Sequence, residues 1–269
     1  RWSPTLSILH LTDRSEGASL SSRKWLSTMN EVDDSWVEKS IIHLISGELE
    51  ITGRLVDASN ATLFGVMHHE GSTLEVIYKP IAGERPLWDF PDGTLADREY
   101  VAFLLSDKTG MDLVPPTILR EGPAGLGMVQ RWIDVDESID LGSYFAQDRK
   151  ELRRLALFDA IINNTDRKIG HLLPDQRGHL FACDHGVTFH TENKLRTVLW
   201  QWAGDALTEE EFGTLDQILT FIDANIASLS EHLTKKEIEA TCIRISKLRS
   251  DGIMPLPSED WPAIPWPAY

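Results

Sequence analysis

The chain has 269 residues, 42% of them apolar and 25% charged, which is enough for one two-lobed domain or two small ones around a sizeable core. Its formal net charge of −16 opposes nonspecific binding to DNA, RNA or anionic lipid surfaces, all of which recruit Lys and Arg against phosphate. Cys183 and Cys242 lie far apart and outside any C-x-x-C spacing, so neither a zinc site nor a disulfide framework is suggested, and the cytoplasm is the expected location.

No run approaches the roughly 20 apolar residues of a membrane span, and Arg1-Trp2-Ser3-Pro4 opens no leader-like apolar core, so stable membrane insertion is not expected. Residues 1–34 are polar, Ser-rich and interrupted by Pro4; they predict a weakly ordered extension with one short helix near Ser22 to Met29. Trp36, Ile41, Ile42, Leu44 and Ile45 then predict a helix from Asp34 to Ser46, stopped by Gly47. Glu48 to Asp57 alternates with Leu49, Ile51, Gly53 and Leu55 on one face, Ala58 to Thr62 forms a turn, and Leu63 to His68 returns as a second strand.

A third strand, Thr73 to Pro80, carries Lys79 near its end. The loop Gly83 to Gly93 holds Arg85, Trp88 and Phe90, with Arg85 a candidate phosphate contact and Trp88 a candidate acceptor-binding ring if they do more than pack the loop. Thr94 is the expected cap of a helix on which Leu95, Glu99, Ala102 and Phe103 share a stripe, which buries Glu99. A buried carboxylate is costly unless paired, and Lys79 is the nearest cation with a reason to be there. Strands at Thr117 to Arg120 and Leu126 to Ile133 follow, then an acidic exit at Asp134 to Glu137.

The second half reads as mostly helical. Asp148 to Ile162 is rich in helix formers and has the capping-box spacing Asp148 to Glu151; Asn163, Asn164 and Thr165 favour turns, so Asp166 emerges near the helix end. Leu172-Leu173 and His179 to Cys183 flank Pro174 to Gly178 as a hairpin that runs into Asp184-His185-Gly186, bringing Asp166 and Asp184 to one edge. Trp200 and Trp202 are expected mainly as core packing. Thr208 before three Glu, Thr214 with Gln217 and Thr234 with Glu237 announce further helices, the last carrying Ile238, Cys242, Ile245 and Leu248 as far as Gly252. The tail from Pro255, with Trp261 and Trp266 among prolines, is expected to run extended over the surface or into a partner groove.

An Asp at a loop edge, a second ligand five positions on, and an Asp-x-Gly after a short hairpin form the layout of a kinase catalytic loop and metal-binding turn. Asn164-Thr165-Asp166-Arg167 followed by Asp184-His185-Gly186 resembles the phosphatidylinositol 3-/4-kinase-like branch of the kinase superfamily, in particular the type II phosphatidylinositol 4-kinases, the atypical bacterial kinases related to them, and actinobacterial proteins known only by that likeness. The resemblance implies an α+β, two-lobed protein-kinase-like fold: an N-terminal extension and short helix at 1–46, a strand-rich N-lobe at 47–133, and a helical C-lobe with an extended tail at 134–269. It implies ATP with Mg2+ or Mn2+, and transfer of the γ-phosphate to an unidentified hydroxyl acceptor, whether a protein, the chain itself, a small molecule or, less favoured by the acidic charge, a lipid.

By the same resemblance Asp166 orients the acceptor hydroxyl and Lys168 lies near the transferred phosphate. Lys79, oriented by Glu99, holds the α/β-phosphates; Asp184 and His171 bind metal. The turn Ser59, Asn60, Ala61 and Thr62 stands where a Gly-rich phosphate loop would be, and the adenine edge is expected against the backbone of Gln130, Arg131 and Trp132. One departure stands out. His171 occupies the position of an Asn metal ligand, and imidazole is a poorer partner than an amide oxygen for the hard Mg2+ ion. The metal is then held mainly by Asp184 and phosphate oxygens, or is a softer ion such as Mn2+, or catalysis is impaired. The alternative to an enzyme is a nucleotide-binding pseudokinase acting as a sensor or interaction module.

Overall fold

A computed structural model describes residues 34–55, 60–91 and 93–269. The helix expected near residues 22–29, and Ser59, lie outside the described residues. The first described element, α1 (Asp34–Ser46), packs on a five-stranded antiparallel sheet of β1 (Glu48–Arg54), β2 (Leu63–His69), β3 (Ser72–Pro80), β4 (Thr117–Gly122) and β5 (Gly125–Arg131) in the order β1-β2-β3-β5-β4. Glu70 and Gly71 close the β2–β3 hairpin with both φ angles positive, the two-residue connection whose twist matches that of the strands it joins. In β1 the alternation read from the sequence holds only up to a bulge between Ile51 and Gly53; beyond it the face is lost and Leu55 is exposed.

Helix α2 (Leu95–Lys108) packs against β4 and β5. Its expected cap is wrong. The Thr94 hydroxyl donates to Pro91 O, while the Glu84 carboxylate, reaching from the preceding loop, accepts the N–H groups of Leu95 at 3.1 Å and Ala96 at 2.9 Å. Glu84 thus satisfies two of the four orphan donors of the helix and places negative charge at the positive end of its dipole. Glu84→Ala is expected to cost about 1 kcal/mol, read from the urea midpoint, and Thr94→Ala to cost less.

The second lobe holds α3 (Leu141–Phe145), α4 (Lys150–Ile162), the two-stranded hairpin β6 (Leu172–Pro174) and β7 (Leu180–Ala182), then α5 (Glu209–Ala224), α6 (Ile226–Leu229) and α7 (Lys235–Asp251). Apolar residues of α4 (Leu152, Leu155, Phe158, Ile161) share a buried core with Leu215, Ile218 and Ile222 of α5 and Ile245 and Leu248 of α7. Two expected caps are corrected. Asp148 does not cap α4, which begins after Arg149; its carboxylate instead accepts the indole N–H of the buried Trp202. Thr214 lies inside α5 and returns its hydroxyl to Glu210 O; the capping boxes of α5 and α7 are Thr208 with Glu211 and Thr234 with Glu237.

At the junction of the lobes, Trp36 of α1 stacks on Phe181 of β7 with ring centroids 5.5 Å apart, and the Arg131 guanidinium of β5 lies 4.0 Å from its ring centroid. Among the described residues no helix is long and apolar enough to cross a membrane.

Candidate active site

The antiparallel pairing of β3 between β2 and β5 carries Lys79 to the end of the sheet that faces α2. There its ammonium meets Glu99 Oε1 at 2.7 Å and Asp184 Oδ1 at 3.0 Å. Glu99 is 2% exposed, and its second oxygen accepts the backbone N–H of His185 at 3.0 Å. One carboxylate therefore ties together a strand, a helix and the turn after β7. Burial works against the Lys79 charge, but Asp184 and Glu99 outweigh it and raise its pKa above that of an ordinary lysine. The Lys79 ammonium in turn holds Asp184 well below the usual carboxylate range, although half of the Asp184 side chain faces solvent.

Asp184 has a φ of 62°, a left-handed conformation that costs a non-glycine residue on the order of 1–3 kcal/mol. Neighbours on both sides hold it there. The Arg167 guanidinium donates to Cys183 O at 2.6 Å, and His185 is fixed by its N–H to Glu99 and its Nε2 to Arg167 at 2.7 Å. Because Arg167 only donates, Nε2 of His185 must accept, and burial keeps this imidazole neutral. Burial, with Asp184 adjacent, pushes the Cys183 thiol up to about 12, which disfavours its thiolate.

The loop that carries Asp166 is set by the end of α4. Asn163 takes the left-handed position (φ 55°) that terminates the helix. Asn164 then accepts the Asp166 N–H with Oδ1 and donates Nδ2 to Asp159 Oδ1, both at 3.0 Å. Asp159 and Arg167, each 0% exposed, form a bidentate pair beneath the loop. Asp166 is left at the surface of this buried network with Lys168 Nζ 3.1 Å from its Oδ2. Burial raises its pKa, an effect that Lys168 and Arg196 only partly offset.

His171 stands with Nε2 3.6 Å from Asp184 Oδ2, and burial pulls its pKa down to about 4, so it presents a neutral imidazole. Asp184 offers a carboxylate oxygen to a divalent ion, and His171 could add a ring nitrogen only in the tautomer that gives up the Lys168 N–H its Nδ1 accepts at 3.4 Å, with the remaining positions open to ligand oxygens. Among the described residues no group of three His, Cys, Asp or Glu side chains gathers into a metal cage.

The other expected contacts already have hydrogen-bond partners within the fold. The N–H of Ala61 is given to Gly83 O and Asn60 Oδ1 accepts the N–H of Arg85, so this turn is strapped to the segment after β3; the buried Thr62 lies at its base. The backbone donors expected for adenine are consumed by the sheet: Arg131 N–H bonds Pro116 O and Trp132 N–H bonds Glu75 O, while the buried Gln130 donates its amide to Thr117 Oγ1. The physical reason is that β5 stays paired with β3 through Arg131 and with β4 through Gln130, and the chain before β4 takes the next N–H.

Several residues at the site were not singled out in the sequence. Arg98, beside Glu99 on α2, is 1% exposed and donates to Thr188 O at 2.6 Å and to Glu237 of α7. Lys194, 4% exposed, pairs with Asp89 at 3.1 Å between the rings of Trp88 and Trp261. Lys194 and Arg196 were detectable as alternating cations in an acidic chain, but nothing local says what they face.

A five-stranded antiparallel sheet with a Lys–Glu pair, set over a helical lobe that supplies two aspartates from consecutive turns, defines a two-lobed, kinase-like α+β protein. The fold is similar to "The structure of hydra Fam20 with sugar", with a TM-score of 0.54 at 12% identity, covering 82% of this chain and 89% of that one. A likeness to the Helicobacter pylori proinflammatory kinase CtkA has a TM-score of 0.43 at 13% identity, covering 78% of this chain and 93% of that one. The chain belongs to the family of Protein Rv2133c of Mycobacterium tuberculosis, to which it is 39% identical over 262 residues, covering 84% of this chain and 94% of the mycobacterial protein. No protein-family model matches the sequence.

Proposed function

We propose that this protein is an ATP-dependent phosphotransferase of the phosphatidylinositol 3-/4-kinase-like group, working in the cytoplasm on a hydroxyl acceptor. The reading rests on one observation above all: the Lys79 ammonium lies within 3.0 Å of both Glu99 and Asp184, one loop away from Asp166. Lys79, aligned by Glu99, holds the α- and β-phosphates. Asp166 orients the acceptor hydroxyl and takes its proton, and Lys168 offsets charge on the transferred group. Asp184 and His171 would hold Mg2+ or Mn2+, which when bound neutralises phosphate charge.

Purified protein incubated with labelled ATP and either ion is expected to transfer label or hydrolyse ATP, and Asp184→Asn to abolish both. The reaction requires ionised Asp166, whose pKa is raised by burial, so the rate falls as pH drops through a value above the ordinary aspartate range. Lys168 draws that pKa down. Lys168→Met is therefore expected to move the acid limb of the pH–rate profile to higher pH; a limb that stays put or moves to lower pH separates Asp166 from the titration.

A pseudokinase is the second reading, favoured by His171 at the expected Asn position and by Asp184 Oδ1 being already engaged by Lys79. Stabilisation by ATP with neither transfer nor hydrolysis supports it.

A further inference from the structure

The segment between the Asp184 turn and α5 returns to the catalytic loop. Arg196 N–H bonds Asn164 O at 2.9 Å, and Arg167 N–H bonds Arg196 O at 3.0 Å. These two bonds straddle Thr165 and Asp166, so Arg196 sits in register with the acceptor-orienting aspartate. The segment is pinned from outside by the tail: Ala263 O accepts the Thr197 N–H and the Trp200 indole N–H, each at 3.0 Å, and Ala268 O accepts the Ile169 N–H at 2.9 Å.

Five cations near the site have a carboxylate within ion-pair distance. Lys79 has Glu99 and Asp184, Arg98 has Glu237, Arg167 has Asp159, Lys168 has Asp166, and Lys194 has Asp89. Arg196 makes no ion pair among the described residues, and its Nε is shielded from solvent without a hydrogen-bond partner. A guanidinium without an ion pair, whose charge is felt by Asp166, is a partner for a planar or tetrahedral anion in a chain with 42 acidic and only 26 basic residues. The net charge of −16 sets the protein against an anionic bilayer, which selects a soluble source for that anion.

We propose that Arg196 is an acceptor-binding residue, and that the acceptor is a soluble hydroxyl compound carrying its own phosphate or carboxylate group. This rests on the phosphotransferase reading and specifies its substrate class. The Asp166 side of the site receives the hydroxyl while Arg196 grips the anion and orients it. In the transfer the acceptor oxygen forms a bond to the γ-phosphorus, the bond from that phosphorus to the β,γ-bridging oxygen breaks, ADP leaves with the electron pair, and the acceptor proton passes to Asp166.

The test uses the full chain with ATP and Mn2+ or Mg2+ and three probe pairs: glycerol 3-phosphate against glycerol, glucose 6-phosphate against glucose, and myo-inositol 1-phosphate against myo-inositol, with phosphatidylinositol vesicles as a further arm. Label transfer is expected to favour a charged member over its neutral partner. Arg196→Gln is expected to raise KM for that charged acceptor roughly 10- to 100-fold, the size of a lost charge-assisted hydrogen bond, with Arg196→Lys intermediate. Calorimetric titration of the same probes reads binding without turnover. Equal use of charged and neutral probes, an equal effect of Arg196→Gln on both, transfer to vesicles alone, or no binding of any charged probe overturns the proposal. Failure of the phosphotransferase reading has a separate signature: ATP does not stabilise the wild-type protein, and no label moves to any acceptor or to water.

Discussion

Arg167→Met is expected to lower the unfolding free energy by about 3–5 kcal/mol, the largest loss from any single side chain around the catalytic loop. Asp159 and Arg167 are both fully buried, and the guanidinium also serves Cys183 O and His185. Methionine fills much of the volume but leaves the Asp159 carboxylate without its cation in a low-dielectric interior, where the penalty is the desolvation of an unpaired charge rather than the value of the pair. The double variant Asp159→Leu with Arg167→Met removes that orphaned charge and should regain part of the loss. It will not regain all of it, because Asn164 and Thr197 also donate to Asp159. Urea unfolding of the three variants decides the matter, and a double variant no more stable than the single would show that packing, not charge, dominates.

Asp166→Asn is expected to reduce phosphotransfer by about 10²- to 10⁴-fold while the ATP-induced thermal shift persists, since Asp166 touches neither Lys79 nor Glu99 in the network described. Asparagine keeps the shape and can still take the backbone position that Asn164 Oδ1 supports. It cannot accept the hydroxyl proton. Lys79→Met should act the opposite way, removing the thermal shift and leaving Glu99, 2% exposed, without its cation. Loss of the thermal shift in Asp166→Asn, or its retention in Lys79→Met, would invert the assignment of the two ends of the cleft.

Much of this was legible because it depends on local periodicity. The short apolar segments Leu63 to His68 and Thr73 to Pro80 and the Pro174 to Gly178 turn signals mark strands and a hairpin without reference to anything distant, and the stripe carrying Glu99 pointed to Lys79 through the cost of burying a carboxylate. The misses are contacts that sequence spacing does not encode. Glu84 caps α2 from eleven residues before its first turn, which no capping pattern contains. Thr214 has the same spacing as a cap yet lies within a helix, because a threonine hydroxyl can equally return to the carbonyl four residues back. The donors of Arg131 and Trp132 were expected to be open, and whether they are depends on how far β5 remains paired, a property of the whole sheet.

Arg98 has a consequence for control of the protein. In moving, α2 would carry Glu99 with it and disengage Lys79, the kind of outward swing by which a kinase-like cleft can be switched off. Here the guanidinium one residue earlier is lodged in the opposite lobe against Thr188 and Glu237, and Asp97 on the same turn grips His232 at 2.7 Å. The helix is bolted at its root, and these contacts hold Glu99 against Lys79.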